Sequence, residues 1–165
     1  MKTMTIKSDY SSEEWRQLLQ APGAVGIYIM MAAPNFLIGS MKEVIAVSAS
    51  ILSKEKEANS ALLSTLLAEF KEKESAKLAR LEYEKKNVET IKQTSFDAIK
   101  NAAAVLDQKA SADEASEIKT WLYDVSVKTA NAAKEGGVLG FGGTRVSKEE
   151  ELALQEIANI LGISV

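Results

Sequence analysis

The sequence predicts a single all-α domain, a helical bundle of five to seven helices with a Gly-rich loop before a short C-terminal helix. Apolar residues recur at helical spacing along most of the chain, and no alternating strand pattern occurs. Serine-to-glutamate capping boxes open three of the apolar segments. With 165 residues, 46% of them hydrophobic and 26% charged, the chain is long enough for one buried core.

The composition argues against several kinds of chemistry. The chain has no cysteine and no histidine, which removes disulfides, thiol catalysis, the commonest metal ligand and the commonest general base. We therefore expect no catalytic residue, no metal and no cofactor, and a non-enzymatic role is favoured over an enzymatic one. A net charge of −3, from 20 basic and 23 acidic residues, predicts no nucleic-acid partner. The N-terminus has no signal-peptide pattern, so we expect a cytoplasmic protein in which residues 1–10 are flexible.

The first helix is predicted to begin at Ser11, which has capping-box spacing with Glu14. The Pro22-Gly23 pair is expected to end or bend this helix.

The longest uncharged run, 25 residues from Gln17 to Met41, has an apolar centre over 24–33. This centre is shorter than the roughly 20 apolar residues that a membrane span needs, so we interpret it as a buried central helix. Membrane insertion and a surface covered by a partner are the alternatives. A further helix is predicted over 35–52, where apolar residues form one stripe.

The chain from 58 to 106 contains neither glycine nor proline, so it forms either one long helix or two. Two are favoured, with a break near residues 85–87, because a helix of nearly 50 residues would project beyond so small a domain. The apolar face of the first is Leu62, Leu63, Leu66, Leu67 and Phe70. The charged zone 69–86 is interpreted as a solvated face with Glu69/Lys73 and Glu82/Lys86 pairs, and an intermolecular coiled coil is the alternative.

The C-terminal third repeats the same signals. An apolar stripe runs from Val88 to Leu106, a capping box at Ser111 opens the next helix, and a third box at Ser147 opens the last one. Gly136 and Gly162 are each placed to end a helix.

The glycine-rich loop 136–147 is one candidate site, because glycine allows a ligand to approach the backbone closely. It would either pack into the bundle, dock on a partner, or bind an anion at the following helix N-terminus. The candidate residues are Gly140, Phe141, Gly142, Gly143, Thr144, Arg145 and Ser147. A second candidate is a pliable apolar pocket, for which core packing is the alternative. Its residues would be Tyr28, Met30, Met31, Phe36 and Met41.

Four segments also carry a resemblance to known sequences. They are Glu13-Glu14-Trp15, Ala21-Pro22, Gly39 with Lys42-Glu43, and the loop from Lys134 to Ser147. Together they resemble a group of small uncharacterised bacterial helical proteins that share a Lys-Glu-Gly-Gly-x-Leu-Gly-Phe-Gly-Gly loop before the last helix. The resemblance implies a bacterial origin and a helical fold, and it assigns no activity to any residue.

The leading functional hypothesis is a non-enzymatic interaction or structural protein that binds a protein partner or forms a homodimer. One alternative is a module that binds an apolar ligand or a membrane surface through residues 24–41, although a membrane role is the less favoured. The other is an anion- or phosphate-binding protein that uses the loop 136–147.

Overall fold

The computed structural model describes residues 2–32, 57–135 and 146–165. Within these ranges a short 3-10 turn, Lys7–Asp9, precedes six α-helices, and no strand occurs. The helices are α1 (Ser12–Ala32), α2 (Ala61–Glu69), α3 (Lys73–Leu78), α4 (Val88–Lys109), α5 (Ala112–Glu135) and α6 (Lys148–Leu161). The predicted all-α fold class is therefore confirmed. The helix expected over 35–52, the Gly136 cap and loop residues 136–145 lie outside the described residues.

Helix α1 is the central element of the described bundle. It packs against α3, α4, α5 and α6, and most extensively against α4. Its inner face is closed to solvent, since Leu19, Val25 and Ile29 are each 0% exposed. The interpretation of the apolar stretch as a buried central helix is confirmed for the described part, residues 24–32.

Pro22 lies inside α1, so of the two alternatives expected at Pro22-Gly23, a helix end or a bend, the helix end is wrong. An interior proline has no N–H for the carbonyl of Leu18 and typically costs about 3 kcal/mol. Here the turns on both sides are held in the core by Leu19 and Val25. Burial over the whole helix therefore outweighs the local cost at one position.

The chain from α2 to α4 has two breaks in helical structure. Helix α2 ends at Glu69, α3 is a separate helix of six residues, and residues 79–87 are not helical. Asn87 then caps α4, because its side chain accepts a hydrogen bond of 2.8 Å from the Thr90 amide. The preferred break near residues 85–87 is confirmed, but three helices stand where two were expected.

The two ion pairs expected in the charged zone do not form as helical pairs. Residues 82 and 86 lie in the non-helical stretch, so the spacing that would join Glu82 to Lys86 is absent. Glu69 binds Lys7, Trp15 and Ser75 rather than extending toward the next helical turn.

All three capping boxes form as predicted, with each serine hydroxyl accepting from the glutamate amide and each carboxylate accepting from the serine amide. The two distances are 3.2 and 2.7 Å for Ser11–Glu14, 3.3 and 3.0 Å for Ser111–Glu114, and 3.1 and 2.8 Å for Ser147–Glu150. Each box satisfies backbone donors that a helix start would otherwise leave unpaired.

Gly162 ends the last helix in the left-handed conformation, with φ of +68°. The Ile163 amide donates 2.9 Å back to the Ala158 carbonyl, and the Ile163 side chain packs against the core. This is the hydrogen-bond pattern of a Schellman cap, and it confirms the predicted helix end.

Candidate functional site

A groove of about 640 Å³ lies between α2 and α5. Its floor is apolar and closed, since Leu63, Leu67 and Val125 are 4%, 3% and 1% exposed. Trp121 lines the groove and is half-buried. The groove therefore combines a packed apolar floor with one large aromatic side chain that solvent reaches.

One face of α5 supplies most of the long wall. The groove residues of α5 recur every three or four positions from Asp113 to Lys128, which places them on one face of the helix. A separation of 15 residues at 1.5 Å per residue makes this wall about 22 Å long. On α2, Leu63 and Leu67 lie one helical turn apart and face the same groove.

Glu117 of α5 fixes the start of α2. Its carboxylate accepts hydrogen bonds from the Asn59 amide at 2.6 Å and the Ser60 amide at 2.9 Å. Ser60 in turn caps α2 by accepting from the Leu63 amide at 3.1 Å. The two walls are joined at this end through a charge-assisted contact, which holds the width of the groove.

The N-terminal segment forms the third side of the groove through Met4, and hydrogen bonds on either side of Met4 join this segment to α4 and α5. The Thr5 amide donates to both carboxylate oxygens of Glu114, at 3.0 and 3.2 Å. Lys2 donates to the Asp107 and Gln108 carbonyls at the end of α4, at 2.5 and 2.7 Å. Met4 lies between these anchors, lines the groove and is 66% exposed.

Glu114, which binds the Thr5 amide, carries an ionised carboxylate. Burial alone would raise the pKa of Glu114, whose residue is 2% exposed. Hydrogen bonds from the Ser111 and Thr5 amides and hydroxyls outweigh burial and lower the pKa below its ordinary value. The carboxylate therefore stays charged and is satisfied by its neighbours rather than available for proton transfer.

The exposed rim of the groove is mainly acidic. Glu57, Asp113 and Asp124 line it and are exposed, and Lys128 is the single base among the described lining residues. The two remaining lining carboxylates, Glu114 and Glu117, are engaged in the contacts given above. The rim thus presents three carboxylates to whatever lies over the apolar floor.

A second groove, of about 550 Å³, lies beside Trp15 and α3. Its polar groups meet at Glu69, which accepts from the Trp15 indole at 2.8 Å and the Ser75 hydroxyl at 2.9 Å and forms an ion pair with Lys7. Burial raises the pKa of Glu69, but these three partners more than offset it and hold the pKa low. The network ties α2 and α3 to the N-terminal segment, which is a structural role.

Of the three described members of the predicted apolar pocket, Tyr28 and Met31 are buried core residues. The Tyr28 hydroxyl donates to the Glu156 carboxylate, and its ring centroid lies 5.6 Å from that of Phe96. Burial, and then the Glu156 carboxylate, raise the Tyr28 pKa. Met31 is buried and Met30 half-buried, and neither groove is lined by any of the three. Phe36 and Met41 lie outside the described residues.

Of the loop candidates, Ser147 alone is among the described residues. Its amide and hydroxyl are both bonded to Glu150, whose carboxylate already occupies the start of α6. Glu149 and Glu151 add negative charge in the same turn. The described end of the loop is therefore unfavourable for an anion. The other six candidates, residues 140–145, lie outside the described ranges.

Sequence reasoning missed the α2–α5 groove. Carboxylates in the first turns of a helix usually stabilise the start of their own helix, whereas Glu117 binds amides at the start of α2. A polar face running along α5 from Asp113 to Lys128 was a usable signal. Nothing local, however, indicated that α2 and Met4 would lie opposite that face.

The described residues contain no group of three or more acidic side chains arranged to hold a metal ion, and no described helix is long and apolar enough to cross a membrane.

No protein-family model matches the chain, and neither a curated protein nor a solved structure has significant similarity to it.

Proposed function

We propose that the chain is a non-enzymatic interaction protein that binds a partner polypeptide in the α2–α5 groove. The observation that carries the proposal is the groove itself: a closed apolar floor at Leu63, Leu67 and Val125, with the half-buried Trp121 beside it. Apolar clefts that present a partly exposed aromatic residue are typical of polypeptide-binding surfaces, where aromatic side chains contribute much of the binding energy.

The dimensions favour a polypeptide over a small molecule. The α5 wall is about 22 Å long, the length of a helix of roughly four turns. Recognition of a helix in a groove between two helices is a recurring binding mode. Because Glu117 and Glu114 fix α2 and the N-terminal segment on α5, the walls are formed before a partner arrives. A preformed groove lowers the entropic cost of binding.

The two alternative functions find less support among the described residues. Tyr28 and Met31, which would serve an apolar ligand or a membrane surface, face the core. Ser147, which would serve an anion, is engaged by Glu150.

The test compares two arginine substitutions, each at an exposed helical position. Thr120→Arg places a long charged side chain on the groove wall, and Ala104→Arg places the same side chain on α4, away from both grooves. The native partner is captured on the tagged wild-type chain, identified by mass spectrometry, and its affinity measured for all three proteins. Thr120→Arg should weaken binding by at least about tenfold, and Ala104→Arg should leave it unchanged. Equal affinity for all three proteins would refute the proposal.

A further inference from the structure

Resting on the proposed function, we infer that the occupant of the α2–α5 groove is an amphipathic helix of about four turns whose polar flanks carry lysine or arginine. Its apolar face would lie on Trp121 and the apolar floor, and its basic flanks would meet the carboxylates of the rim.

The negative charge of the rim is the reason for proposing a basic occupant. Glu57, Asp113 and Asp124 are exposed and line the groove, so a bound segment would bring its own side chains close to them. An acidic flank would place like charges together in a partly desolvated site, which is costly, whereas a basic flank would gain charge-assisted hydrogen bonds. A second copy of this chain fits less well, since two acidic rims would face each other in a symmetric contact.

The position of the charges along α5 also indicates where the charged residues of the bound helix should lie. Asp113 lies at one end of the wall, Asp124 three turns along it, and Lys128 one turn beyond Asp124. The basic residues of the bound helix should therefore lie along the three turns between Asp113 and Asp124. An acidic residue is acceptable only next to Lys128.

The probe is a displayed library of about 16-residue random peptides, a length that matches the wall. It is selected on the wild-type chain and counter-selected on the Thr120→Arg variant. Enriched peptides should be net positive and carry apolar residues at helical spacing. One such peptide is then synthesised and titrated into Trp15→Phe protein, in which Trp121 is the sole remaining tryptophan. Its binding should change the Trp121 emission and weaken as salt is added.

Charge reversal with a matched control tests the rim itself. Asp113→Lys/Asp124→Lys should lower the affinity of the basic peptide at least about tenfold. Glu149→Lys/Glu151→Lys changes the net charge equally, also at exposed positions but on α6, and should leave the affinity within about twofold. Equal losses in both double variants would show a general charge effect and overturn the inference.

The remaining outcomes separate this inference from the proposed function. Enriched peptides without a basic bias would overturn the inference and leave the groove as a polypeptide site. If no peptide is enriched but Thr120→Arg still loses the native partner, the inference is likewise overturned and the groove remains a polypeptide site. No enrichment together with full partner binding by Thr120→Arg would overturn both. A wild-type dimer that Thr120→Arg converts to a monomer would identify a second copy as the occupant and overturn the basic-helix inference.

Discussion

The carboxylate of Glu114 accepts a hydrogen bond of 3.0 Å from the backbone amide of Thr5, which precedes it by 109 residues. The same carboxylate completes the capping box of α5 with Ser111. One buried side chain therefore both starts a helix and holds the N-terminal segment that forms a side of the groove.

Replacing Glu114 with glutamine tests this double role. The amide keeps the size of the side chain, but its NH2 group would face donors from Ser111 or Thr5, leaving a buried donor unpaired. We expect the free energy of unfolding to fall by about 2 kcal/mol, the range for a buried hydrogen bond to a charged group. Urea denaturation measures the change, and hydrogen exchange should show a loss of protection at the Thr5 amide.

Glu151→Gln is the matched control, because Glu151 is exposed in the first turn of α6. It should change the stability by no more than about 0.5 kcal/mol. Equal stability of Glu114→Gln and wild type, with the Thr5 amide still protected, would contradict the role assigned to Glu114.

Acidification should weaken the same contact. The pKa values of Glu114 and Glu69 are lowered in the folded chain, against about 4.3 for an unfolded glutamate. Since a lowered folded-state pKa means that the unfolded chain binds protons more readily, the stabilisation is complete above about pH 4.3 and is lost as the pH falls through the folded-state values.

Urea titrations of wild type and Glu114→Gln from pH 7 to about pH 3 would measure this. The difference in unfolding free energy between the two proteins should narrow as the pH falls, since protonated Glu114 resembles glutamine. A difference that stays constant over the whole range would show that the Glu114 charge does not stabilise the fold.

The features that the sequence predicted correctly depend on residues close together in the chain. A capping box needs two residues three positions apart, as at Ser147 and Glu150, and an apolar stripe repeats within a few turns. The left-handed end at Gly162 likewise follows from a local signal. Such features can be recognised without knowing what any helix packs against.

The features that sequence reasoning missed depend on contacts between distant segments. Glu117 meets Asn59 and Ser60 across 58 and 57 residues, and nothing near Glu117 marks those amides as its partners. The same holds for the continuation of α1 through Pro22, since local signals give the cost of the proline but not the burial on either side. The groove is built from contacts of this kind.

Two glycines allow a paired test of backbone conformation. A Cβ added at Gly23 or at Gly162 would have no heavy atom within 4 Å, so neither alanine variant would clash. Gly23 lies inside α1, where alanine should raise stability by about 0.5–1 kcal/mol. Gly162 has φ of +68°, a conformation in which alanine should lower the stability by about 1 kcal/mol. Thermal unfolding of both variants measures the two shifts, and shifts of the same sign would contradict the assigned conformations.

Fluorescence quenching of the two tryptophans tests whether the groove is open in the free chain. Trp15 is 4% exposed, and its indole donates to Glu69, whereas Trp121 is half-buried on the groove. Trp15→Phe and Trp121→Phe each leave one tryptophan as the reporter, since the chain has two. Acrylamide should quench the emission of Trp121 several times more strongly than that of Trp15, and the Trp121 emission should lie at longer wavelength because water reaches the indole. If the two tryptophans are quenched equally and weakly, the groove is already covered in the free chain and cannot receive a partner without first opening.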